Sequence, residues 1–171
     1  MGMYPGRIER PGSFPKRKER IVYTAEIKTV GESMARSTTE ARNFKIFMDE
    51  PPELGGKDGA ASPLEFILAA HGGCLSYMTF FIGKELGIHV KGTEVSVKAS
   101  LNPAKFAGTN RDVRAGYQAI HVEIKIDAEA TEEQLEKLRS EVEARCPVSD
   151  NIANPTPVHI ALTAANVLAL A

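Results

Sequence analysis

Apolar residues alternate with polar ones at several places in this chain, and a period of two is typical of half-buried strands. The pattern predicts strands at residues 21–30, 43–48, 93–100 and 118–127, and a last one around Val158, Ile160 and Leu162. Residues 101–117 connect the third of these strands to the fourth. Because this connection is long for a hairpin, we expect it to be either mobile or used in a contact.

A first helix is indicated by its capping signals. Ser62 suits the N-cap position, and Glu65 completes an S-x-x-E capping box. The helix extends up to Gly87, which suits the left-handed conformation that ends many helices. Gly72 and Gly73 in its middle each cost roughly 1 kcal/mol of helix propensity relative to alanine. We therefore expect them to mark close packing against another backbone.

A second helix is indicated at Thr131, where Gln134 completes a T-x-x-Q box. Its apolar stripe consists of Leu135, Leu138 and Val142. The order of elements is then strands, long helix, strands, helix and strand. Because strands and helices do not alternate throughout, this order favours an α+β fold with helices on one face of an antiparallel or mixed sheet.

Residues 1–20 differ from the rest of the chain. They contain three prolines and a basic cluster made of Lys16, Arg17, Lys18 and Arg20. Such an arm cannot build a core, so we expect it to lie extended or to wrap a partner subunit. No aromatic platform accompanies its charges, which argues against nucleic-acid binding. Residues 21–171 are expected to form a single domain.

The composition is that of an ordinary globular protein. Of the 171 residues, 43% are hydrophobic, and 21 basic against 22 acidic residues leave a net charge of −1. A charge so close to zero creates no field that would draw the chain to nucleic acid or to an anionic membrane. We find no apolar run of the roughly 18 residues that a transmembrane helix requires. The first residues also lack the hydrophobic stretch of a secretory signal, so we expect a cytoplasmic protein.

Two cysteines, Cys74 and Cys146, are the residues that could carry chemistry. In a reducing cytoplasm, a disulfide is more often catalytic or sensory than structural. Cys74 falls on an apolar face of the first helix, and burial alone raises the pKa of a thiol and makes it inert. Cys146 precedes Pro147 and suits the N-cap of a further helical turn, where the local dipole favours the thiolate. Taken singly, each cysteine could also be an ordinary small core residue.

Three segments together resemble the OsmC/Ohr family of osmotically inducible and organic hydroperoxide resistance proteins. They are the loop from Leu54 to Pro63, the helix segment Ala69-Ala70-His71-Gly72-Gly73-Cys74, and Cys146-Pro147-Val148-Ser149. The resemblance covers residues 21–167, with the order of elements and both cysteines in register. It implies an OsmC-like α+β fold with two main helices, in an intertwined homodimer whose active sites take residues from both chains.

The same resemblance implies a thiol-dependent peroxidase with an antioxidant role in the stress response. Cys74 would attack an organic hydroperoxide as a thiolate and become a sulfenic acid, and Cys146 would condense with it to a disulfide. A dithiol or a lipoylated protein would reduce that disulfide. The resemblance implies no cofactor and no metal.

One position departs from the family pattern. Peroxidases of the family carry Pro-Glu at the start of the helix, and the glutamate supports an arginine that activates the thiolate, whereas this chain has Leu64 there. Glu65 follows, but it lies about 180° around the helix from Cys74, which favours its capping role over a catalytic one. We choose Arg36 as the activating arginine. The alternatives are Arg42, Arg111, Arg114 and, as an ion-pair partner of the thiolate or simply a packed helix residue, His71.

Two other functions stay open. With Leu64 in place of the glutamate, the fold could serve as a ligand-binding or redox-sensing module that binds a small apolar molecule at the dimer interface without turnover. The two cysteines could also be a purely structural pair.

Overall fold

Two antiparallel sheets and three α-helices are formed by residues 23–163, the part of the chain that the computed structural model describes. The predicted α+β fold is therefore confirmed. The basic arm at residues 1–20 lies outside the described residues, as do the first two residues of the first predicted strand and residues 164–171.

The elements follow one another along the chain with a short 3-10 turn at Pro52–Leu54 between the first sheet and the first helix. They are β1 (Ile27–Gly31), β2 (Ser37–Ala41), β3 (Phe44–Met48), α1 (Pro63–Glu85), β4 (Val90–Ser100), β5 (Ala119–Ala128), α2 (Glu132–Arg145) and α3 (Pro147–Ala153).

The first sheet contains β1, β2 and β3 in chain order, each antiparallel to the next. A tight turn joins β2 to β3 and places Arg42 at φ +57, in the left-handed region. The alternation pattern misses β2, because Ser-Thr-Thr-Glu-Ala contains no apolar alternation, although threonine suits a strand. β1 is shorter than the predicted strand, and all five of its residues are exposed rather than half-buried.

The second sheet is one long hairpin of β4 and β5. Val95 lies opposite Ile124, and Val97 lies opposite Val122. The predicted alternation is confirmed along β4, where Val95, Val97 and Ala99 are half-buried and the residues between them are exposed. One face of this hairpin therefore serves as a platform for α1, which packs against β4.

α1 begins and ends as the sequence predicts. The Ser62 hydroxyl accepts the backbone N–H of Glu65, and the Glu65 carboxylate accepts the backbone N–H of Ser62 in return. At the other end, Gly87 has φ +73. The buried residues of α1 form one stripe, which consists of His71, Leu75, Met78, Thr79, Ile82 and Gly83.

One core cluster is built from α1, α2 and the residues that follow each of them. Its buried members are Leu75, Met78, Ile82, Ile88, Leu138, Val142 and Cys146. Ile82 is completely buried, at 0% exposure, and Cys146 is 1% exposed. The second cysteine is thus part of the core rather than of the surface.

The mid-helix glycines do not meet the expectation of close backbone packing within this chain. A Cβ on Gly72 would make an ordinary contact with Val97 at 3.5 Å, and a Cβ on Gly73 would meet nothing within 4 Å. A close approach is found instead near the C-terminal end of α1, where a Cβ on Gly83 would be 2.7 Å from Val90 Cγ2. β4 begins at Val90, shortly after α1 ends at Glu85, so the chain itself brings the two elements together there.

α1 is also the one helix among the described residues that is long and apolar enough, by length and composition alone, to cross a membrane. The helix is apolar on average over this length, although it is not an unbroken apolar run of about 18 residues. A third of its most apolar window is buried inside the fold. Its packing against β4, α2 and α3 accounts for that part of its apolar character.

The prediction of a last strand around Val158, Ile160 and Leu162 is wrong. Residues 155–163 belong to no strand, and Val158, Ile160 and Leu162 are 76%, 91% and 98% exposed. A strand needs a neighbour for its N–H and C=O groups. Alternation of side chains cannot supply that neighbour, and the described part of the chain does not provide one at this place.

Candidate active site

The two cysteines lie side by side, although 72 residues separate them in the sequence. Both are free thiols, and their sulfurs are 3.3 Å apart. Cys74 comes from the middle of α1 and is half-buried, whereas Cys146 comes from the junction of α2 and α3 and is almost completely buried. A disulfide bond is about 2.05 Å long, so small side-chain movements would bring the sulfurs into bonding distance.

Cys146 is positioned by the turn that it caps. It ends α2 and is the N-cap of α3, and Pro147 occupies the first position of α3 as predicted. The Cys146 sulfur accepts the backbone N–H of Ser149 at 3.4 Å. This donor belongs to the first turn of α3, which Cys146 caps.

These contacts separate the acidities of the two thiols. Burial disfavours the Cys146 thiolate, but the Ser149 hydroxyl and N–H, the Cys74 thiol and the Val148 N–H outweigh it and lower the pKa of Cys146. Burial and the neighbouring Cys146 raise the pKa of Cys74, and the Val148 N–H only partly offsets them. Within one chain, these contacts make the Cys146 thiol the more acidic of the two.

His71 extends this chain of contacts on the other side of Ser149. Its Nε2 lies 2.9 Å from the Ser149 hydroxyl oxygen, and the side chain is 7% exposed. Burial lowers the pKa of His71 and favours the neutral ring. Among residues 23–163, its Nδ1 is the one buried side-chain nitrogen or oxygen without a hydrogen-bond partner. His71 is thus connected to Cys146 through Ser149 rather than paired with Cys74.

The segment that contains both cysteines matches a known protein family. A family model for OsmC-like proteins matches residues 56–161, a segment that includes both cysteines, His71 and Ser149. The chain belongs to the OsmC-like protein family. The resemblance seen in the sequence is thereby confirmed. The sequence matches no curated protein.

Solved structures of other OsmC-like proteins share the fold. An OsmC-like protein from Mycoplasma pneumoniae superposes with a TM-score of 0.68 at 17% identity, covering 78% of this chain and 89% of that one. An organic hydroperoxide resistance protein from Legionella pneumophila gives 0.54 at 20% identity, covering 78% and 91%. One from Elizabethkingia anophelis gives 0.54 at 20% identity, covering 77% and 89%. At these identities, the likeness establishes the fold.

In this OsmC-like chain, Arg36 forms an ion pair with Glu32 rather than with Cys74. It precedes β2, and its Nε is 3.3 Å from a Glu32 carboxylate oxygen. Its charge is not among the influences on the pKa of Cys74, which come from burial, Cys146 and Val148. Of the alternatives, Arg42 lies in the β2–β3 turn with its guanidinium over the Phe44 ring. Arg111 and Arg114 are exposed in the loop before β5. A catalytic role for Arg36 stays a prediction.

The Glu65 carboxylate takes part in the capping box at the start of α1. The backbone N–H and hydroxyl of Ser62 donate to its carboxylate and lower its pKa. The hydroxyl of Tyr117 donates to the carbonyl oxygen of Leu64 at 3.0 Å, so the long connection at residues 101–117 is anchored to the first turn of α1. Of the two alternatives for this connection, mobile or used in a contact, the structure shows a contact. A catalytic role for Glu65 stays a prediction.

Asp49 is a buried residue that the sequence analysis missed. Its carboxylate accepts the backbone N–H groups of Glu50, Lys57 and Gly59 at 3.0, 3.3 and 3.1 Å, and chiefly the Gly59 bond lowers its pKa. A Cβ on Gly56 would lie 1.6 Å from the Glu50 carbonyl oxygen, so only glycine fits. Asp49 therefore shapes the glycine-rich family loop that leads into α1.

Ser149 closes the family motif that begins at Cys146, but its contact with the Cys146 sulfur was not predicted. Its signal is its spacing: three residues after an N-cap, a backbone N–H points back to the capping atom. The described residues contain no group of three or more His, Cys, Asp or Glu side chains that could hold a metal ion. The chemistry that this site can support is therefore that of two adjacent thiols with unequal acidity.

Proposed function

We propose that this OsmC-like protein is a cytoplasmic, homodimeric, thiol-dependent peroxidase that reduces organic hydroperoxides. The observation that carries the proposal is the 3.3 Å separation of the Cys74 and Cys146 sulfurs. A sulfenic acid formed on one sulfur would meet the other thiol without any large movement. Relatives named as organic hydroperoxide resistance proteins share the fold and support the choice of substrate class.

The reaction has two steps on the protein. The Cys74 sulfur attacks the terminal oxygen of the hydroperoxide, the O–O bond breaks, and the alcohol leaves as Cys74 becomes a sulfenic acid. The Cys146 sulfur then attacks the Cys74 sulfur, the S–O bond breaks, and the hydroxide leaves as water after taking up a proton. The two cysteines lose two electrons and the peroxide gains them. A dithiol, free or as a lipoylated protein, returns them by thiol–disulfide exchange.

Exposure supports this division of roles. Cys74 is half-buried and can meet a peroxide, whereas Cys146 is 1% exposed. A thiol that solvent does not reach is suited to attack a neighbouring sulfenic acid rather than a substrate that diffuses in. Cys74 is thus proposed as the residue that reacts with the peroxide, and Cys146 as the resolving residue.

Exposed apolar residues support the homodimer. On α1 and in the first sheet, the exposed large apolar side chains are Leu64, Ile67, Tyr77, Phe80, Ile27, Val30, Phe44 and Phe47. Large apolar surfaces on soluble chains mark interaction sites. A second copy of the chain would cover these side chains and would make α1 a central element of the dimer.

The test is the consumption of cumene hydroperoxide in the presence of excess dihydrolipoamide. The wild type is expected to turn over many equivalents, and Cys74→Ser none. Cys146→Ser should stop after a single equivalent and hold a Cys74 sulfenic acid that dimedone labels. Ser76→Ala is the matched control, because this hydroxyl on the same helix bonds to Thr93 instead. Full turnover by Cys74→Ser would sink the assignment.

The rival function is a ligand-binding or redox-sensing module. It is favoured by one observation, namely that the only acidic residue at the start of α1 is engaged in the helix cap. Stoichiometric oxidation of wild-type protein without turnover would support this rival. An intact mass that shows neither an internal disulfide nor an oxygen adduct after peroxide treatment would instead support a purely structural cysteine pair.

A further inference from the structure

The resolving step of the proposed peroxidase depends on where the Cys146 sulfur is held. A sulfenic acid on Cys74 can react in two ways. The Cys146 thiol can condense with it, which forms the S–S bond and releases water, or a second hydroperoxide can oxidise it to a sulfinic acid and leave as an alcohol. Ordinary thiols do not reverse the second reaction. Repeated turnover therefore requires that Cys146 reach Cys74 before the next hydroperoxide does.

The Cys146 sulfur is fixed to the first turn of α3. It accepts the backbone N–H of Ser149 at 3.4 Å, and the Cys146 carbonyl oxygen accepts the N–H of Asp150 at 3.0 Å. The sulfur therefore moves together with this turn. α3 itself has seven residues, and none of them is buried. Within one chain, packing of α3 side chains alone therefore holds this turn only weakly against α1.

A side-chain hydrogen bond joins the same turn to α1. The Ser149 hydroxyl oxygen and Nε2 of His71 are 2.9 Å apart, and His71 is 7% exposed. Among residues 23–163, the other side-chain hydrogen bonds of α3 involve only the helix, its caps and Thr156. Breaking the bond to His71 would leave a buried polar group unsatisfied, which costs more than the bond itself contributes. We therefore expect this bond to persist in the folded protein.

This hydrogen bond lies next to the contact between the two sulfurs. His71 precedes Cys74 by three residues on α1, and Ser149 follows Cys146 by three residues. Residues three apart on a helix are neighbours on its surface, so the two contacts are adjacent links between the same two parts of the chain. The nitrogen and oxygen are 2.9 Å apart, and the two sulfurs are 3.3 Å apart. The first link therefore restrains how far Cys146 can move from Cys74.

A second link to α1 is weaker. The Arg145 guanidinium pairs with Glu85 at 2.6 Å and lies over the Phe81 ring. The side chains of Arg145 and Glu85 are 38% and 45% exposed, and solvent screens an ion pair of this kind. Along α1, Cys74 thus lies between a buried hydrogen bond at His71 and an exposed ion pair at Glu85. The buried bond is the better candidate for fixing the sulfur.

We propose that His71 and Ser149 are positioning residues for the resolving step. Their hydrogen bond holds the first turn of α3 against α1, so that the Cys146 sulfur closes the disulfide before a second hydroperoxide reaches Cys74. The bond thereby protects Cys74 from oxidation to the sulfinic acid. The inference rests on the peroxidase function proposed above. It gives neither residue a part in the first step, the attack on the peroxide.

The first arm of the test follows closure of the disulfide without any hydroperoxide. Dithiobis(nitrobenzoate) forms a mixed disulfide on the half-buried Cys74 and releases one coloured thiol, and attack by Cys146 then releases a second. Ser149→Ala and His71→Ala should each slow the second release about tenfold, the factor expected for one lost hydrogen bond. The double variant should be no slower, because both changes remove the same bond. Ser149→Thr, which keeps the hydroxyl, should restore the rate.

Two comparisons separate positioning from other effects. Ser76→Ala removes a hydroxyl of α1 that bonds to Thr93, and it should close the disulfide at the wild-type rate. Closure is also measured at alkaline pH, where the Cys146 thiol is ionised in every variant, and the loss in Ser149→Ala should persist there. A loss that disappears at alkaline pH would mean that Ser149 acts on acidity, and it would overturn the positioning role. Wild-type closure in both Ser149→Ala and His71→Ala would overturn it too. If Ser149→Ala does not fold, His71→Ala tests the same bond from α1.

The second arm counts the oxygen atoms added to Cys74 by intact mass, at increasing cumene hydroperoxide with dihydrolipoamide present. Because two reactions compete for one sulfenic acid, Ser149→Ala should accumulate the sulfinic acid at about tenfold lower hydroperoxide than the wild type. Ser149→Thr should resemble the wild type. Equal amounts of sulfinic acid in the wild type and Ser149→Ala would overturn the protective role. If the wild type consumes no hydroperoxide, the proposed function fails, and the first arm still decides whether the bond positions Cys146.

Discussion

Two regions of this molecule use their apolar residues differently. The body, made of α1, β4, β5, α2 and α3, contains the whole core cluster and both cysteines. The first sheet, made of β1, β2 and β3, contributes none of the buried apolar residues of that cluster, and all of β1 is exposed. Both regions have strands with apolar side chains, but only in the body does a helix of the same chain pack against a strand.

The two regions differ in whether the same chain provides a layer that packs against the strands. The body has α1 as a layer that packs against β4, whereas the first sheet makes no extensive contact with any helix of the described chain. The apolar side chains on β1 and β3 therefore need a cover from elsewhere, and in the proposed homodimer the second copy supplies it.

Ile82→Ala should cost the most stability. Ile82 is fully buried in the core of the body, and truncation of such a residue to alanine lowers the free energy of unfolding by about 2–5 kcal/mol. The matched variant is Ile27→Ala in the exposed strand β1. Denaturant unfolding at several protein concentrations should show a constant loss for Ile82→Ala and a concentration-dependent loss for Ile27→Ala. A constant, equally large loss at Ile27 would mean that one chain covers both regions.

Phe80→Asp should weaken self-association. Phe80 is an exposed apolar residue of α1, and burying such a side chain contributes about 1.5–3 kcal/mol. Its replacement by a charge should therefore raise the dissociation constant of the dimer at least about tenfold. Phe106→Asp, in the loop between β4 and β5, is the control and should have no effect. Sedimentation analysis measures both, and an unchanged Phe80→Asp dimer would place the interface on another surface.

Gly83→Ala and Gly73→Ala should have opposite effects on stability. The new methyl group would lie 2.7 Å from Val90 at position 83 but would meet nothing within 4 Å of this chain at position 73. Overpacking at position 83 should cost about 1–3 kcal/mol, whereas better helix propensity at position 73 should add up to about 1 kcal/mol. Thermal unfolding compares the two. Destabilisation or dissociation by Gly73→Ala would reveal a second chain close to α1, as the sequence analysis expected.

The pH dependence of stability should show the smallest effect, through His71. Burial lowers the pKa of His71, so the unfolded chain takes up a proton below about pH 6.5 that the folded protein still refuses. The free energy of unfolding therefore falls as the pH drops below this value, until the folded protein is protonated too. His71→Gln should flatten this part of the curve, and His121→Gln should not. Identical curves for wild type and His71→Gln would contradict a buried, neutral His71.

Local features of the fold were predictable from the sequence. The capping boxes at Ser62 and Thr131 are both present, because a cap involves only residues within one helical turn. The alternation is confirmed along β4, and along β5 at Ile120, Ile124 and Ile126 but not at the exposed Val122. A long hairpin sets its register through neighbouring residues. The last strand around Val158 was wrong because a strand requires a partner that local pattern does not reveal.

The candidate site was predictable only in part. The two cysteine contexts and the family resemblance identified Cys74 and Cys146 as the reactive pair of residues. Neither the contact of Ser149 with Cys146 nor the place of Asp49 in the glycine-rich loop was predicted. Serine and aspartate are common in turns, and their partners here lie outside any simple motif. Arg36 was chosen by its place in the order of elements, and within one chain it is engaged with Glu32 instead.

Neighbouring residues and recognisable motifs were enough to predict the helix ends, the long hairpin, the α+β class and the two cysteines that resemble a redox pair. Tertiary packing brings the two sulfurs to 3.3 Å, places the Ser149 N–H at the Cys146 sulfur and places His71 at the Ser149 hydroxyl. Those contacts join α1 to α3 and to the residue that caps it, across 72 to 78 residues. The local pattern of the chain cannot set such distances, because they depend on how the core packs.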